Sequence, residues 1–145
     1  MKNVENLDLS FNKLQHLGTG VFSGLFNLHN IDLSHNGLQY LHTDSFLGSP
    51  NLQNLELSFN SGLQIPTDRK FINSHFLSHL DLSNCNVNSL SVETFANVSA
   101  LDWLDLINNN LKTVDINILR ALSELSELYL YDNPLQCDCQ LQEVR

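Results

Sequence analysis

The sequence has few basic residues, few cysteines and no long apolar run. Its 7 Lys and Arg stand against 16 Asp and Glu, a formal net charge of −9. Such a charge repels phosphate backbones and anionic lipid, so we expect neither nucleic acid nor a membrane surface as a partner of this segment. No stretch approaches the ~18 uninterrupted apolar residues of a transmembrane helix. With 42% hydrophobic residues over 145 positions, the chain is too apolar for disorder and predicts one folded unit.

The number and spacing of the three cysteines do not predict a set of disulfide bonds within the chain. Cys85 stands alone, whereas Cys137 and Cys139 lie near the C-terminal end, separated by one residue. Side chains at that separation are poorly placed for disulfide geometry, so we expect no bond between these two cysteines. A zinc site at Cys137 and Cys139 is not expected either, because the remaining Cys and His residues belong to distant parts of the chain.

A repeat accounts for nearly the whole chain. The pattern L-x-x-L-x-L-x-x-N occurs six times with offsets of 24 or 25 residues, and we number these copies 1 to 6. The copies begin at Val4, Leu28, Leu52, Leu77, Leu101 and Leu125. Repeats of this length are typical of solenoids, in which each repeat buries its apolar face against its neighbours.

Each copy contains a short segment with the alternation of a β-strand. In copy 2, Ile31 and Leu33 are apolar and their neighbours are polar, which predicts a strand with one buried face. We predict six parallel strands, centred near residues 7–9, 31–33, 55–57, 80–82, 104–106 and 128–130. Parallel strands need a crossover, and roughly 15 residues after each strand supply it with little regular helix. The predicted fold is a curved, right-handed α/β-type repeat solenoid, with about six short strands on the concave face and mostly irregular convex loops.

Two further positions recur outside the strands. An asparagine ends the motif in five copies, where its amide is able to satisfy backbone groups that the turn leaves unpaired. Copy 4 has Cys85 at this position, which we interpret as a buried thiol rather than a reactive one. A mostly aromatic residue follows on the return path. The two columns are Asn12, Asn36, Asn60, Asn109 and Asn133, and Phe22, Phe46, Phe71, Phe95 and Leu119.

Copy 3 contains one extra residue, which lies between Asn60 and Phe71. Glycine and proline within residues 61–70 predict an irregular loop. A tolerated insertion on the convex side is the simplest interpretation, because loops accept changes in length at little cost. A functional role for this loop is the alternative.

The strand sequences L-D-L-S-F-N, I-D-L-S-H-N and L-D-L-S-N-C, the 24-residue spacing and the phenylalanine column resemble the typical subfamily of extracellular leucine-rich-repeat proteins. This subfamily includes Toll-like receptors, which act in innate immunity, and Slit-like ectodomains. The resemblance covers residues 4 to 139. It implies leucine-rich repeats over residues 1–135 and, over residues 136–145, the first half of a cysteine-rich C-terminal cap.

In such a cap, Cys137 and Cys139 would each form a disulfide with a cysteine further downstream. The resemblance therefore implies a fragment of a longer protein from an oxidising, extracellular environment, either secreted or part of a membrane protein. Asn97 lies in the tripeptide Asn97-Val98-Ser99, so it is a candidate glycosylation site.

The outward strand positions predict an acidic concave face. One acid lies between the two apolar strand residues of copies 1 to 5: Asp8, Asp32, Glu56, Asp81 and Asp105. Stacking brings these like charges together, which raises carboxylate pKa values. An acidic face favours a cationic protein partner and speeds its association. The alternative is that Asp-Leu-Ser is simply the consensus strand sequence of this family and has no role in binding. Similarly, His29, His35 and His79 are either solvated side chains or pH sensors on this face.

The last two copies lack some of the polar residues that the other copies have at their outward strand positions. Trp103, Ile107, Tyr129 and Tyr131 occupy outward positions there, and aromatic residues dominate binding hot spots. These four are our candidate ligand-binding residues, together with the five acids. The alternative is that the C-terminal cap packs over them.

No nucleophile, base or metal-ligand set converges in the sequence, so we expect neither an enzyme nor a cofactor. We predict a non-catalytic protein-binding module of an extracellular receptor or adhesion ectodomain, with its ligand on the concave face. The alternative is a secreted structural protein of the extracellular matrix.

Overall fold

The computed structural model describes residues 3–136 of the chain. Each of the six copies contributes one strand to a single parallel sheet, and equivalent residues of successive copies pair in register. The strands, in their order across the sheet, are β1 (Asn6–Asp8), β3 (Asn30–Asp32), β5 (Asn54–Glu56), β6 (His79–Asp81), β7 (Trp103–Asp105) and β8 (Glu127–Tyr129). The predicted six-stranded solenoid is confirmed, and every strand lies one residue earlier than expected.

Four of the six strands end at an aspartate whose side chain binds the backbone two residues ahead. The Asp32 carboxylate accepts a hydrogen bond from the backbone amide of Ser34 at 2.8 Å, and Asp81 accepts one from Ser83 at 2.7 Å. A side chain that binds the amide two residues ahead turns the backbone away from an extended path. An aspartate at this position therefore favours the turn after the strand, although β5 and β8 end at the equivalent residues Glu56 and Tyr129.

A second, two-stranded parallel sheet pairs β2 (His16–Leu17) with β4 (Tyr40–Leu41), which the sequence did not predict. The His42 amide donates to the carbonyl of Leu17 at 2.9 Å. Pro66 occupies the position of His42 in copy 3. Because proline has no amide hydrogen, it cannot donate the corresponding bond to copy 2, and the small sheet stops after two strands.

Regular helix is scarce on the return path, as predicted. The described residues contain the 3₁₀-helix η1 (Glu93–Phe95) and the α-helix α1 (Ile116–Ala121). Asp115 caps α1, since its carboxylate accepts from the amide of Asn117 at 2.8 Å. No helix in residues 3–136 is long and apolar enough to cross a membrane.

The core lies between the large sheet and the return path. Ile31 and Leu33 are buried, whereas Asp32 and Asp81 lie on the other face of the sheet with only partial burial. The predicted strand register is therefore correct. Four phenylalanines of the return-path column are buried: Phe22, Phe46, Phe71 and Phe95.

The prediction for Leu119, the last member of the phenylalanine column, is wrong. Leu119 is only half-buried, and Ile118 and Leu122 enter the core instead. These two residues are four apart on or next to α1, so they share one face of a helical turn. The α-helix therefore changes which residue of copy 5 faces inward.

The asparagine column ties each copy to the one before it. Asn60 is fully buried; its amide nitrogen donates to the carbonyls of Leu33 in copy 2 (3.1 Å) and Leu57 in copy 3 (2.8 Å). Its amide oxygen accepts from the backbone of Leu38 at 3.0 Å. Among the described residues, no buried side-chain nitrogen or oxygen lacks a hydrogen-bond partner. The structural role predicted for this column is confirmed.

Cys85 replaces asparagine in copy 4 and is a buried free thiol, as interpreted from the sequence. Its sulfur lies 3.1 Å from the carbonyl oxygen of Leu57, a carbonyl that the Asn60 amide also contacts. Burial raises the pKa of the Cys85 thiol to about 12, which leaves the thiol protonated and unreactive at neutral pH. Cys137 and Cys139 lie outside the described residues, so their predicted pairing remains a prediction.

Residues 61–70 contain no helix or strand, as predicted for the insertion in copy 3. Hydroxyls of adjacent copies hold the loop. Thr94 donates to the carbonyl of Pro66 and Ser91 to that of Thr67, both at 2.7 Å. Thr43 donates to the carbonyl of Lys70 at 2.9 Å. The loop is therefore anchored on both sides.

We predict that Asn60→Ala lowers the free energy of unfolding by about 2–3 kcal/mol, because it leaves buried backbone groups without partners. Asn12→Ala is the matched control: Asn12 holds the same position in copy 1, but it is exposed and solvent replaces its bonds. Urea unfolding curves of both variants measure the difference. Equal losses for the two variants would contradict a role that depends on burial.

Candidate functional site

The face of the large sheet that points away from the core, here called the outer sheet face, carries rows of side chains that run across the strands. Because the strands pair in register, one position of the repeat becomes one row. The predicted acids form the acidic row, in which Asp8, Asp32, Glu56, Asp81 and Asp105 are successive strand partners. The row changes to tyrosine in copy 6, where Asp105 pairs with Tyr129.

Four of the five acids have a structural function. Asp8, Asp32, Asp81 and Asp105 each accept a hydrogen bond from the backbone amide two residues ahead. Hydrogen bonds from Ser10 lower the pKa of Asp8. At Asp105, burial raises the pKa although the amide of Ile107 donates to its carboxylate. These hydrogen bonds support a structural role for the aspartates at the strand ends, and this role does not depend on a binding partner.

Glu56 is the exception in the acidic row. It shares a side-chain hydrogen bond with Asp81, and burial, that bond and the nearby charges of Asp81, Asp32 and Asp105 raise the pKa of Glu56 to about 7. The expectation that stacked carboxylates would raise a pKa is confirmed here, with burial as the largest cause. Glu56 is therefore partly protonated near neutral pH.

An amide ladder runs beside the acidic row in copies 1 to 3. The Asn30 amide donates to the side-chain oxygen of Asn6, and the Asn54 amide donates to that of Asn30. The amide ladder and the acids of the same copies line one groove, which His79 borders in copy 4. The N-terminal half of the outer sheet face is therefore polar and acidic.

The C-terminal half of the outer sheet face carries an aromatic cluster of His79, Trp103 and Tyr129. The Trp103 ring stacks on His79 with centroids 5.7 Å apart and contacts Tyr129 at 5.5 Å. The Tyr129 hydroxyl donates to a carboxylate oxygen of Glu127, and this hydrogen bond raises the pKa of Tyr129. The structure thus places two of the four predicted aromatic and aliphatic contact residues in one cluster.

The other two predicted contact residues lie apart from the aromatic cluster. Ile107 is half-buried and binds Asp105 through its backbone amide at 2.8 Å. Tyr131 is 63% exposed. Both occupy the position of Ser10 and Ser34 in the repeat, which makes them neighbours in register.

Sequence reasoning missed an aromatic ladder at the carboxyl-terminal ends of β1, β3 and β5. His35 stacks between Phe11 and Phe59, with both centroid separations 4.2 Å and interplanar angles of 9° and 11°. Phe11 and Phe59 have φ values of 54° and 59°. This left-handed conformation costs a bulky residue about 1 kcal/mol. The alignment of F, H and F at one repeat position was the available signal.

Asn97 is half-buried after η1, and its amide nitrogen donates to the side-chain oxygen of Asn73 at 3.0 Å. Asn73 in turn donates to Asp44 at 3.0 Å. Glycosylation of Asn97 remains a prediction. In residues 3–136, no three His, Cys, Asp or Glu side chains are grouped so that they could hold a metal ion.

The raised pKa of Glu56 predicts a pH-dependent stability. A carboxyl whose folded pKa lies near 7, above the ordinary glutamate value of 4.5, favours folding below about pH 4.5, and this contribution is lost as the pH rises through 7. Glu56→Gln should therefore stabilise the protein at pH 8 by about 1 kcal/mol, a value reduced for partial solvent exposure, and have less effect at pH 5. Thermal melts at both pH values measure this.

Glu93→Gln, on the exposed return path, is the control for that experiment. A Glu56 side-chain titration with its midpoint below pH 5 by NMR would contradict the assignment.

Three solved structures share the fold. The chain is similar to Drosophila Toll in a complex with Spatzle, at 22% identity and a TM-score of 0.66 over 89% of this chain and 20% of that chain. It is similar to TLR13 in a complex with the RNA ssRNA13, at 22% identity and a TM-score of 0.72 over 91% and 19% of the two chains. Human 5T4, also called trophoblast glycoprotein, matches at 25% identity and a TM-score of 0.57 over 92% and 62%.

The chain spans about a fifth of the length of Toll and of TLR13, and less than two thirds of that of 5T4. Identities of this size show a shared fold. No relative was found among curated protein sequences.

The family model described as leucine rich repeat matches residues 2–61 and 76–135. The gap between the two matched segments contains most of the anchored loop of copy 3, where the spacing of the repeat changes. Together, the two matched segments contain all six in-register strands and all five residues of the asparagine column described above. The chain belongs to the leucine-rich-repeat family.

Proposed function

We propose that the chain is a non-catalytic protein-binding module of an extracellular receptor or adhesion ectodomain, and that the outer sheet face binds its protein ligand. The aromatic cluster carries this proposal. Trp103 and Tyr129 are only half-buried although they are large and partly apolar. Aromatic side chains held by stacking bind partners at a low cost in conformational entropy, and they dominate binding hot spots.

The charge of the outer sheet face supports a cationic ligand. Nine of the 16 acids and none of the 7 Lys and Arg lie in residues 5–11, 29–35, 53–59, 78–84, 102–108 and 126–132. A surface of one sign raises the rate of association with a partner of the opposite sign. In this proposal the acidic row steers the partner, and Trp103, Ile107, Tyr129 and Tyr131 hold it.

Two solved relatives of the fold are complexes, of Toll with Spatzle and of TLR13 with RNA. These show that the fold serves protein and nucleic acid ligands, so the fold alone does not exclude RNA. For this chain we propose a protein, because the acidic row repels phosphate. The extracellular setting is proposed from the sequence resemblance of residues 136–145 to a cysteine-rich cap, and from the sequon at Asn97.

The absence of catalysis is proposed from the outer sheet face itself. Four of the five carboxylates of its acidic row accept hydrogen bonds from backbone amides, and Glu56 shares one with Asp81. Catalysis needs a nucleophile or base poised at a site that holds a reacting atom. A binding surface needs only the area and the charge that are present.

A photo-crosslinking amino acid in place of Tyr131 should capture the protein partner, and the same group in place of Phe76, equally exposed at 63%, should not. With the captured partner, Trp103→Ala should weaken binding by about 2 kcal/mol or more, mainly through faster dissociation. Surface plasmon resonance measures both rate constants.

Phe76→Ala is the matched control for that experiment and should leave affinity unchanged. Arg69→Ala tests the anchored loop of copy 3, where Arg69 pairs with Asp68 on an exposed surface. The proposal fails if Arg69→Ala abolishes binding while Trp103→Ala, still folded, binds like the parent chain. It also fails if single-stranded RNA competes with the protein partner at physiological salt.

A further inference from the structure

The aromatic ladder of Phe11, His35 and Phe59 gains little from burial. Phe11 is 75% and Phe59 48% exposed. Both adopt left-handed backbone conformations, which are unfavourable for bulky side chains. Strained, exposed residues of this kind are concentrated at functional sites. Stacking on His35 offsets part of the strain.

The chain itself shows that this repeat position does not require an aromatic residue. Copies 4, 5 and 6 use Asn84, Asn108 and Asp132 there, with φ values of 56°, 53° and 57°. Asparagine and aspartate adopt this conformation more readily than phenylalanine does. The turn is therefore the same in all copies, and its geometry does not explain the two phenylalanines.

The surroundings of the aromatic ladder define the chemistry of a partner. Asp8, Asp32 and Glu56 each precede a ladder residue by three positions in the same copy, and residues 5–11, 29–35 and 53–59 contain no Lys or Arg. The inner ring faces of the two phenylalanines cover His35, so the ring edges and the outer ring face of Phe11, which is 75% exposed, remain for a partner. An apolar contact beside a row of carboxylates suits a segment that carries both apolar and cationic side chains.

We propose that the aromatic ladder is a second contact site, separate from the aromatic cluster, for a protein segment in which apolar residues alternate with arginine or lysine. This rests on the proposed function of the outer sheet face as a protein-binding surface. A second copy of this chain is disfavoured by its net charge of −9. Nucleic acid is disfavoured because the carboxylates repel phosphate.

The test uses a short synthetic peptide of alternating leucine and arginine as the probe and the double variant Phe11→Asn/Phe59→Asn. The variant takes the asparagine of copies 4 and 5, so its melting temperature should be unchanged or higher. Its affinity for the peptide should be at least about tenfold weaker. Phe26→Asn/Phe76→Asn is the matched control, because these residues are 55% and 63% exposed elsewhere on the chain; it should bind like the parent chain.

A peptide of alternating serine and arginine separates apolar contact from charge. It should bind the parent chain more weakly, and the double variant should not change its affinity. Equal binding of both peptides, or an unchanged leucine–arginine affinity in the double variant, would overturn the proposal, as would a lowered melting temperature without a loss of binding. Trp103→Ala should leave the affinity for this peptide within about twofold, since a larger loss would show that the two sites are one. The photo-crosslinking result at Tyr131 does not depend on this outcome.

Discussion

The structure depends on the in-register stacking of each copy on the one before it. The buried asparagine amides maintain this stacking, because each contacts carbonyls of two successive copies. Asn109 shows it as clearly as Asn60: its amide donates to Leu82 in copy 4 at 2.9 Å and to Leu106 in copy 5 at 3.0 Å. A slip by one residue would bury the polar strand residues and break these bonds together. The motif therefore specifies both the strand and its register.

Stacking in register turns single repeat positions into continuous rows, and the rows have energetic consequences. Four aspartates tolerate the acidic row because backbone amides stabilise their carboxylates. At Glu56 in the same row, burial first, then a side-chain hydrogen bond with Asp81 and the nearby carboxylate charges, raise the pKa to about 7. Aromatic residues are also brought together by stacking in register, but stacked rings attract each other whereas stacked carboxylates repel. The repeat thus concentrates charge in one row and apolar surface in others.

The sequence predicted the sheet well because its signals are periodic. Apolar residues at two fixed positions per copy gave the six strands, their burial and their parallel order in one sheet. Features that depend on a single residue were harder to predict. The small sheet ends because of one proline, Pro66, and Ile118 replaces Leu119 in the core because one return path forms a helix.

The aromatic ladder was missed for a different reason. Its residues follow the strands, and the left-handed conformation that lets Phe11 and Phe59 stack on His35 is a property of the backbone. The sequence shows three aromatic rings at one repeat position but not their direction. The acidic row was easier, because strand alternation alone sets the direction of its side chains.

In-register stacking assembles the outer sheet face, so proton NMR should detect close contacts between rings of neighbouring copies. Nuclear Overhauser effects are expected between the rings of Trp103 and His79, and between those of Trp103 and Tyr129, whose centroids lie 5.7 and 5.5 Å apart. Effects from the Trp103 ring to the core leucines Leu80 and Leu104, without those to His79 and Tyr129, would show that the register is shifted by one residue and that the outer sheet face is not assembled in this way.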